Sequence, residues 1–316
     1  MSSTGPSSAE TEQRRRRLRA HIALLFMVII WAVNFSVAKI ALRHLSPLAF
    51  NGLRFPLACA ALYVLLRRSG PVPMPARSDY LRVIVLGVLG NLVYQQFFIF
   101  GLDQTRAGTA SLMLAGTPLI TAILSATLGH ERIRPRVWIG VCCTLIGISL
   151  VVLFGEHDPS AARGTRIGAL LLLSASISWA IYTVGSRRLV QRYGPVPVTA
   201  WTLWIGSLGV FLVGLPDIAR AQLQRLSPGI WLAVVYAGVL SIGAAYLIWY
   251  NGVRELGNTR TATYSNLVPA VTLLVAWLWL NETPSVGQLA GAATIIGGVT
   301  LAQSRRAADR NTPVGA

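Results

Sequence analysis

A single arginine stands inside an otherwise apolar run: Arg54, in Phe50-Asn51-Gly52-Leu53-Arg54-Phe55-Pro56. A guanidinium keeps its charge and offers five donors in a planar fork, a shape that matches a carboxylate. An ionisable group at such a position is functional by default. It either meets a substrate carboxylate, snorkels outward, or bonds carbonyls freed by Pro56. Other apolar runs carry uncharged polar and aromatic groups: Trp31 and Asn34, Tyr94 and Gln95, Trp179 and Tyr182, Tyr246, Tyr264 and Asn266. They supply hydrogen bonds and flat apolar faces without fixed charge, which suits a small amphipathic or zwitterionic solute. With Arg54 they form the candidate substrate-binding set. The competing role is to tie helices together, through contacts that average about 0.6 kcal/mol.

Other chemistry is poorly represented. No Asp, Glu or His falls in the middle of an apolar run; Asp103, Glu131 and Glu282 sit at run ends. There each Glu is expected to cap the next helix or pair with a nearby arginine rather than relay protons. Cys59, Cys142 and Cys143 lie in apolar runs with no metal-ligand spacing. No catalytic residue, metal or cofactor is expected, and the chain does not read as an enzyme.

The elements that must position these groups are membrane spans. Of 316 residues, 53% are hydrophobic and 12% charged, against about a quarter charged in soluble proteins. Ten apolar segments, near 21–42, 48–66, 80–102, 107–128, 137–154, 167–186, 197–215, 230–250, 260–280 and 286–303, have lengths that suit a bilayer core about 30 Å thick. In lipid each must be helical, so the fold class is an all-α integral membrane protein. The first run is too long for a signal-peptide core and lacks a cleavage pattern. A basic tail over 1–20, expected to be disordered, precedes it, and another follows from 304 to 316.

The net charge of +17 comes almost wholly from arginine, Lys39 being the only lysine. The charges collect at run ends, which is a topology signal and argues against nucleic-acid binding. With the N-terminus cytoplasmic, 20 arginines lie on the inside and 6 on the outside. Both termini are therefore expected to be cytoplasmic.

The chain also repeats. Gly101, Pro118, Thr121, Glu131, Gly140 and Gly147 return as Gly252, Pro269, Thr272, Glu282, Gly291 and Gly298, each 151 residues on. Trp31-Ala32 and Lys39 return as Trp179-Ala180 and Arg187, 148 residues on. The expected halves are 21–154 and 167–303, joined by a connector over 155–166. Five spans per half is odd, so the second half must enter the membrane inverted. That is the architecture through which many secondary transporters alternate access. Pro118 and Pro269 each remove a backbone hydrogen bond in a helix, as hinges or as plain kinks. Cys143-x-x-x-Gly147 and Gly287-x-x-x-Gly291 permit close helix contact, either between the halves or between two subunits of a homodimer.

Trp31-Ala32-Val33-Asn34-Phe35 before Lys39, Leu53-Arg54-Phe55, and Pro118…Glu131…Gly140…Gly147 resemble an EamA domain. Trp179-Ala180…Pro269…Glu282…Gly291…Gly298 resembles a second. In tandem, over about residues 21–303, they are similar to a ten-helix member of the drug/metabolite transporter superfamily. The resemblance implies an inner-membrane carrier, usually an exporter of amino acids or related metabolites, with a central cavity between the halves. Multidrug efflux is the alternative. Small four-helix relatives use a first-helix glutamate for proton coupling; this first helix has none, so that mechanism does not carry over. Carriers of nucleotide sugars or sugar phosphates would favour several cavity cations, where only Arg54 and Lys39 are available.

Overall fold

The computed structural model describes residues 8–67, 72–128, 135–154, 159–256, 261 and 264–303. Among these there is no strand. The helices are α1 (Ser8–Leu42), α2 (Pro47–Arg67), α3 (Arg77–Asp103), α4 (Ala107–Thr127) and α5 (Pro135–Phe154), then α6 (Pro159–Tyr193), α7 (Pro195–Arg220), α8 (Pro228–Leu256), α9 (Val268–Leu280) and α10 (Val286–Gln303). Seven of them, α1 to α4 and α6 to α8, are long and apolar enough to cross a membrane, and α5, α9 and α10 contain shorter apolar stretches.

Two expected tails and linkers are helical instead. The basic segment expected to be disordered over 1–20 continues α1 from Ser8. Its Arg and Glu residues are good helix formers, and Glu12 pairs with Arg16 one turn on at 3.2 Å. The connector expected over 155–166 is helical from Pro159, a residue suited to a first helical turn. Glu131 and the 304–316 tail lie outside the described residues.

The side-chain pattern is that of a protein solvated by lipid. Large apolar groups point outward, among them Leu170 (66% exposed), Leu232 (69%) and Leu278 (64%). Asn34, Asn51, Arg54, Asn91 and Gln95 are buried. The polar groups thus face the inside of the bundle, away from lipid, which offers no hydrogen bonds.

Contacts run between the halves in matched pairs. α2 packs on α7 and α5 on α10, while α1 meets α8 and α9 as α6 meets α3 and α4. The α5–α10 contact is backbone on backbone. A Cβ placed on Gly291 would lie 2.7 Å from the Gly147 carbonyl and 2.5 Å from Val151 Cγ2; one on Gly298 would lie 2.8 Å from the Gly140 carbonyl. The small-residue stripes therefore join the two halves of one chain.

Three helices are interrupted, and a turn before α9 matches the break in α4. α3 makes a π-helical stretch over Val88–Val93 and α8 one over Tyr236–Ala244. α4 breaks at Gly116, just before Thr117–Thr127 begins with Pro118 in its first turn. A turn at Asn266 and Leu267 precedes Pro269, again in a first turn. Proline needs no N–H there, so each sits just past its break rather than inside a continuous helix. Thr117 Oγ1 donates to the Leu114 carbonyl at 2.6 Å, taking up a backbone acceptor at the α4 break.

Polar contacts tie the helix ends. Lys39 Nζ at the end of α1 donates to the carbonyls of Leu102 (3.2 Å) and Asp103 (3.1 Å), where α3 ends. Asn281 terminates α9 in the left-handed conformation, φ 54°, which asparagine tolerates. The turn brings Glu282 to the start of α4, where its carboxylate accepts from the N–H of Ala107 (3.3 Å) and Gly108 (3.5 Å). The cap is thus on a helix of the other half, not on α10, the helix that follows. Burial pushes the Glu282 carboxyl above its ordinary range, and those two N–H groups, Lys39 and Arg106 pull it back in part.

Two outcomes follow. Gly291→Ala should destabilise by about 1–3 kcal/mol through overpacking. Gly297→Ala, whose Cβ meets nothing within 4 Å, should be neutral or stabilising by up to about 1 kcal/mol. Thermal melts in detergent compare the two. For Glu282 the folded pKa is raised, so the folded state holds the proton more tightly and stability falls as pH rises from about 4.5 through the folded value. The melting temperature of Glu282→Gln relative to wild type should climb across that window and level off above it; a flat difference would contradict the burial of this carboxylate.

Candidate functional site

Arg54 lies on the face of α2 that also carries Asn51, one helical turn before it, and both side chains are fully buried. Arg54 Nε donates to Asn51 Oδ1 at 3.0 Å, and its Nη2 donates to Gln95 Oε1 of α3 at 3.0 Å. Asn51 Nδ2 in turn donates to the Gln95 carbonyl at 3.1 Å. The guanidinium carbon stands 4.8 Å from the ring centre of Phe50, 5.6 Å from Phe55 and 5.9 Å from Phe98. Arg54 does not snorkel, and the groups that hold it are amides and rings rather than carbonyls freed by Pro56.

None of these partners carries a negative charge. Among the described residues no carboxylate pairs with Arg54, and Nη1 has no hydrogen-bond partner. A buried guanidinium remains cationic, and neutral acceptors with ring faces compensate only part of its lost hydration. The site therefore holds an unmatched positive charge with unused donors.

Two phenols complete its surroundings. Tyr94 and Tyr246 lie within electrostatic reach of the guanidinium, and Tyr246 also of Tyr94, Tyr182 and Tyr250. Tyr94 is the first residue after the π stretch of α3, and Tyr246 the second after that of α8. Among the described residues nothing bonds either hydroxyl. Aromatic contacts extend the site into α6. Tyr94 lies between Phe98 (6.2 Å, stacked) and Trp179 (5.0 Å), and Trp179 meets Tyr182 at 5.2 Å. The Tyr182 hydroxyl is bonded to Thr202 of α7 at 3.1 Å.

The remaining candidates sit differently. Trp31 Nε1 donates to the Ser241 carbonyl at 3.0 Å, inside the π stretch of α8, and its ring meets Trp249 at 5.7 Å. Asn34 is buried, and its Oδ1 has no partner among the described residues; the same holds for both amide atoms of Gln96. Tyr264 is not part of the Arg54 group. Its hydroxyl shares a hydrogen bond with His21 Nδ1, ten residues or about 15 Å along α1 from Trp31. Asn266 occupies the turn before α9 and is half-buried. Arg54, Tyr94, Gln95, Trp179, Tyr182 and Tyr246 are thus brought together, with Trp31 along the adjoining face of α8.

Sequence reasoning missed Asn51, the three phenylalanines and both π stretches. A signal for the latter was present. The offset between the halves is 148 residues from Trp31 and Trp179 up to the π starts, Val88 and Tyr236, and 151 from Gly101 and Gly252 onward. The π stretches contain 6 and 9 residues, so the three extra residues fall in the second one.

The EamA-like transporter family matches the chain twice, at residues 18–153 and 166–303. The chain is 28% identical over 288 residues to the uncharacterized transporter YyaM of Bacillus subtilis (strain 168), covering 91% of this chain and 94% of that protein. It is 28% identical over 296 residues to a probable terminal-alkyne amino-acid exporter of Streptantibioticus cattleyicolor, covering 92% and 96%. It is 29% identical over 291 residues to a probable amino-acid metabolite efflux pump of Salmonella typhimurium, covering 88% and 92%. A solved structure, described as a crystal structure of a protein, shares the fold at a TM-score of 0.63 and 23% identity, covering 90% of this chain and 98% of that one. Two family repeats, filled by apolar helices around a buried polar site, make this a multi-pass membrane protein, and the chain belongs to the EamA-like transporter family.

Proposed function

We propose that the protein is a secondary transporter that exports small metabolites, amino acids or their derivatives, across the inner membrane. Ten spans would form two inverted five-helix repeats, 21–154 and 167–303, with both termini cytoplasmic. The arginine distribution and the odd span count support this topology. So does the matched pairing of helices across the halves.

One observation carries the substrate reading. Arg54 is a buried cation with no carboxylate partner among the described residues, placed where α2, α3 and α8 meet. A substrate carboxylate would supply the missing charge and accept from the unused fork, with Tyr94 and Tyr246 as further donors. The relatives named as an amino-acid exporter and an amino-acid metabolite efflux pump support the same substrate class. The aromatic series Phe98–Tyr94–Trp179–Tyr182 favours a second reading, efflux of lipophilic solutes.

Alternating access would use the matched helix breaks. Pro118 and Pro269 follow the interruptions of α4 and of the segment leading into α9, so each is positioned to let its helix swing at one mouth.

Solute counterflow in proteoliposomes tests the function. Carboxylate-bearing amino acids or derivatives should exchange, and Arg54→Gln should cut that exchange about 10- to 100-fold, as expected for losing hydrogen bonds to a charged group. The same variant should keep or raise its melting temperature, because removing a buried unpaired charge relieves its desolvation. Exchange of lipophilic cations that survives Arg54→Gln would favour the efflux reading. Pro118→Ala and Pro269→Ala should slow transport without a matching loss of stability; normal flux in both would remove the hinge assignment.

A further inference from the structure

The charge balance of the Arg54 site extends to the other end of the substrate. We infer that the site takes a monocarboxylate without a free ammonium group, such as an N-acylated or deaminated amino acid, in preference to the zwitterion. This rests on the carboxylate reading given above and narrows it.

Among the described residues the site has one charge and no carboxylate to balance a second positive one. In the second half, offset by 148 residues, Thr199 and Thr202 occupy the places of Asn51 and Arg54. The asymmetry leaves a single cation, which one carboxylate neutralises. An amino acid would bring its ammonium along, and the occupied site would again hold a net positive charge in a membrane interior. Each carboxylate described in α3 to α9 and the turn after it is engaged or distant. Asp103 ends α3, eight residues or about 12 Å from Gln95. Asp79 is bonded to Arg192 and Tyr193, Asp217 to Ser46, Glu255 to Arg254, and Glu282 caps α4. Glu10 and Glu12 lie ahead of the first apolar run, and Glu131, Glu156, Asp158 and Asp309 lie outside the described residues.

Neutral groups cannot take over the role. An ammonium needs three acceptors; Asn51 Oδ1 and Gln95 Oε1 each already accept one bond from Arg54, and a cation on their second lone pairs would sit against the guanidinium. The ring faces are also occupied. Phe50, Phe55 and Phe98 surround the guanidinium, and Tyr94 and Trp179 each lie between two other rings. A second cation would compete with Arg54 for these rings while being repelled by it. The phenol hydroxyls of Tyr94 and Tyr246, unbonded among the described residues, can donate to an anion. The unpartnered carbonyl oxygens of Asn34 and Gln96 are the kind of acceptor that satisfies a neutral amide N–H without having to balance a charge.

The test is counterflow by the full chain in proteoliposomes with sets matched in side chain. Leucine is compared with N-acetyl-leucine and 4-methyl-2-oxopentanoate, and phenylalanine with N-acetyl-phenylalanine and phenylpyruvate. In at least one set the amine-free or amine-blocked forms should exceed the zwitterion by about tenfold or more in kcat/KM, a difference of about 1.4 kcal/mol. Arg54→Gln, checked for an undiminished melting temperature, should lose that exchange. Zwitterions transported as well as or better than their monoanionic partners would overturn the inference and leave the carboxylate transporter standing. If no member of either set exchanges, the inference and the carboxylate reading fall together.

Discussion

A charge that cannot be discarded in a place that cannot hydrate it is the constraint around which this bundle is built. Arginine does not neutralise itself by losing a proton, as a buried lysine or carboxylic acid would. The chain answers with two amide oxygens and three phenylalanine rings around Arg54, and with Gln95 anchored to Asn51 through its own backbone carbonyl. Helix α8 closes on the same turn of α2. A Cβ on Gly238 would lie 2.4 Å from the Arg54 carbonyl, so only glycine lets the helices approach there. Arg54 is thus held by neutral groups from several helices, and among the described residues it has no counter-charge.

The π stretches explain how a repeated scaffold carries an unrepeated site. A π turn shifts the residues that follow it around the helix axis. In α3 the helix resumes at Tyr94, and the next residue, Gln95, reaches Arg54. In α8, with three more residues in the π stretch, the position that follows its restart is Tyr246, a phenol whose hydroxyl is unbonded among the described residues. The unusual backbone is also used: the Ser241 carbonyl within the second π stretch accepts from Trp31. Such stretches often occur at functional sites, and here each one aims the side chains that face the cation.

Much of this was legible in the sequence, for reasons that also set its limits. Hydropathy shows where water is excluded, so Arg54 stood out as a misplaced charge and the buried polar residues could be collected. Spacing showed the duplication, because glycines and prolines recur where backbones approach or bend. Partner choice was not legible. Tyr264 has the same composition signal as Tyr246, yet it is held by His21 in the first half of α1, whereas Tyr246 stands near the guanidinium. Asn51 looked like an ordinary polar residue in α2 until its place one turn from Arg54 met Gln95 from another helix. Glu282 was recognisable as a cap, but the helix it caps lies 175 residues away in the chain. Such pairings depend on how helices rotate and cross, which local patterns do not encode.

The ends of the bundle bear on how such a site would be exposed to each side in turn. At one end Lys39 holds the close of α3 and Glu282 holds the start of α4. At the other, His21 meets Tyr264, while Asp79 meets Arg192 and Tyr193. Glu282 at one end, and His21 and Asp79 at the other, join the first half to the second, while Lys39 ties α1 to α3 within the first; both sets consist of a few hydrogen bonds, each worth about 1 kcal/mol net or somewhat more where charged. A carrier that alternates must break one set while keeping the other, so the two arrangements should differ by only a few kcal/mol. A ligand can shift such a balance only through its differential affinity for the two states. On the carboxylate reading proposed above, a substrate that cancels the Arg54 charge would remove part of the desolvation cost of the empty site, a change with the sign needed to couple occupancy to closure.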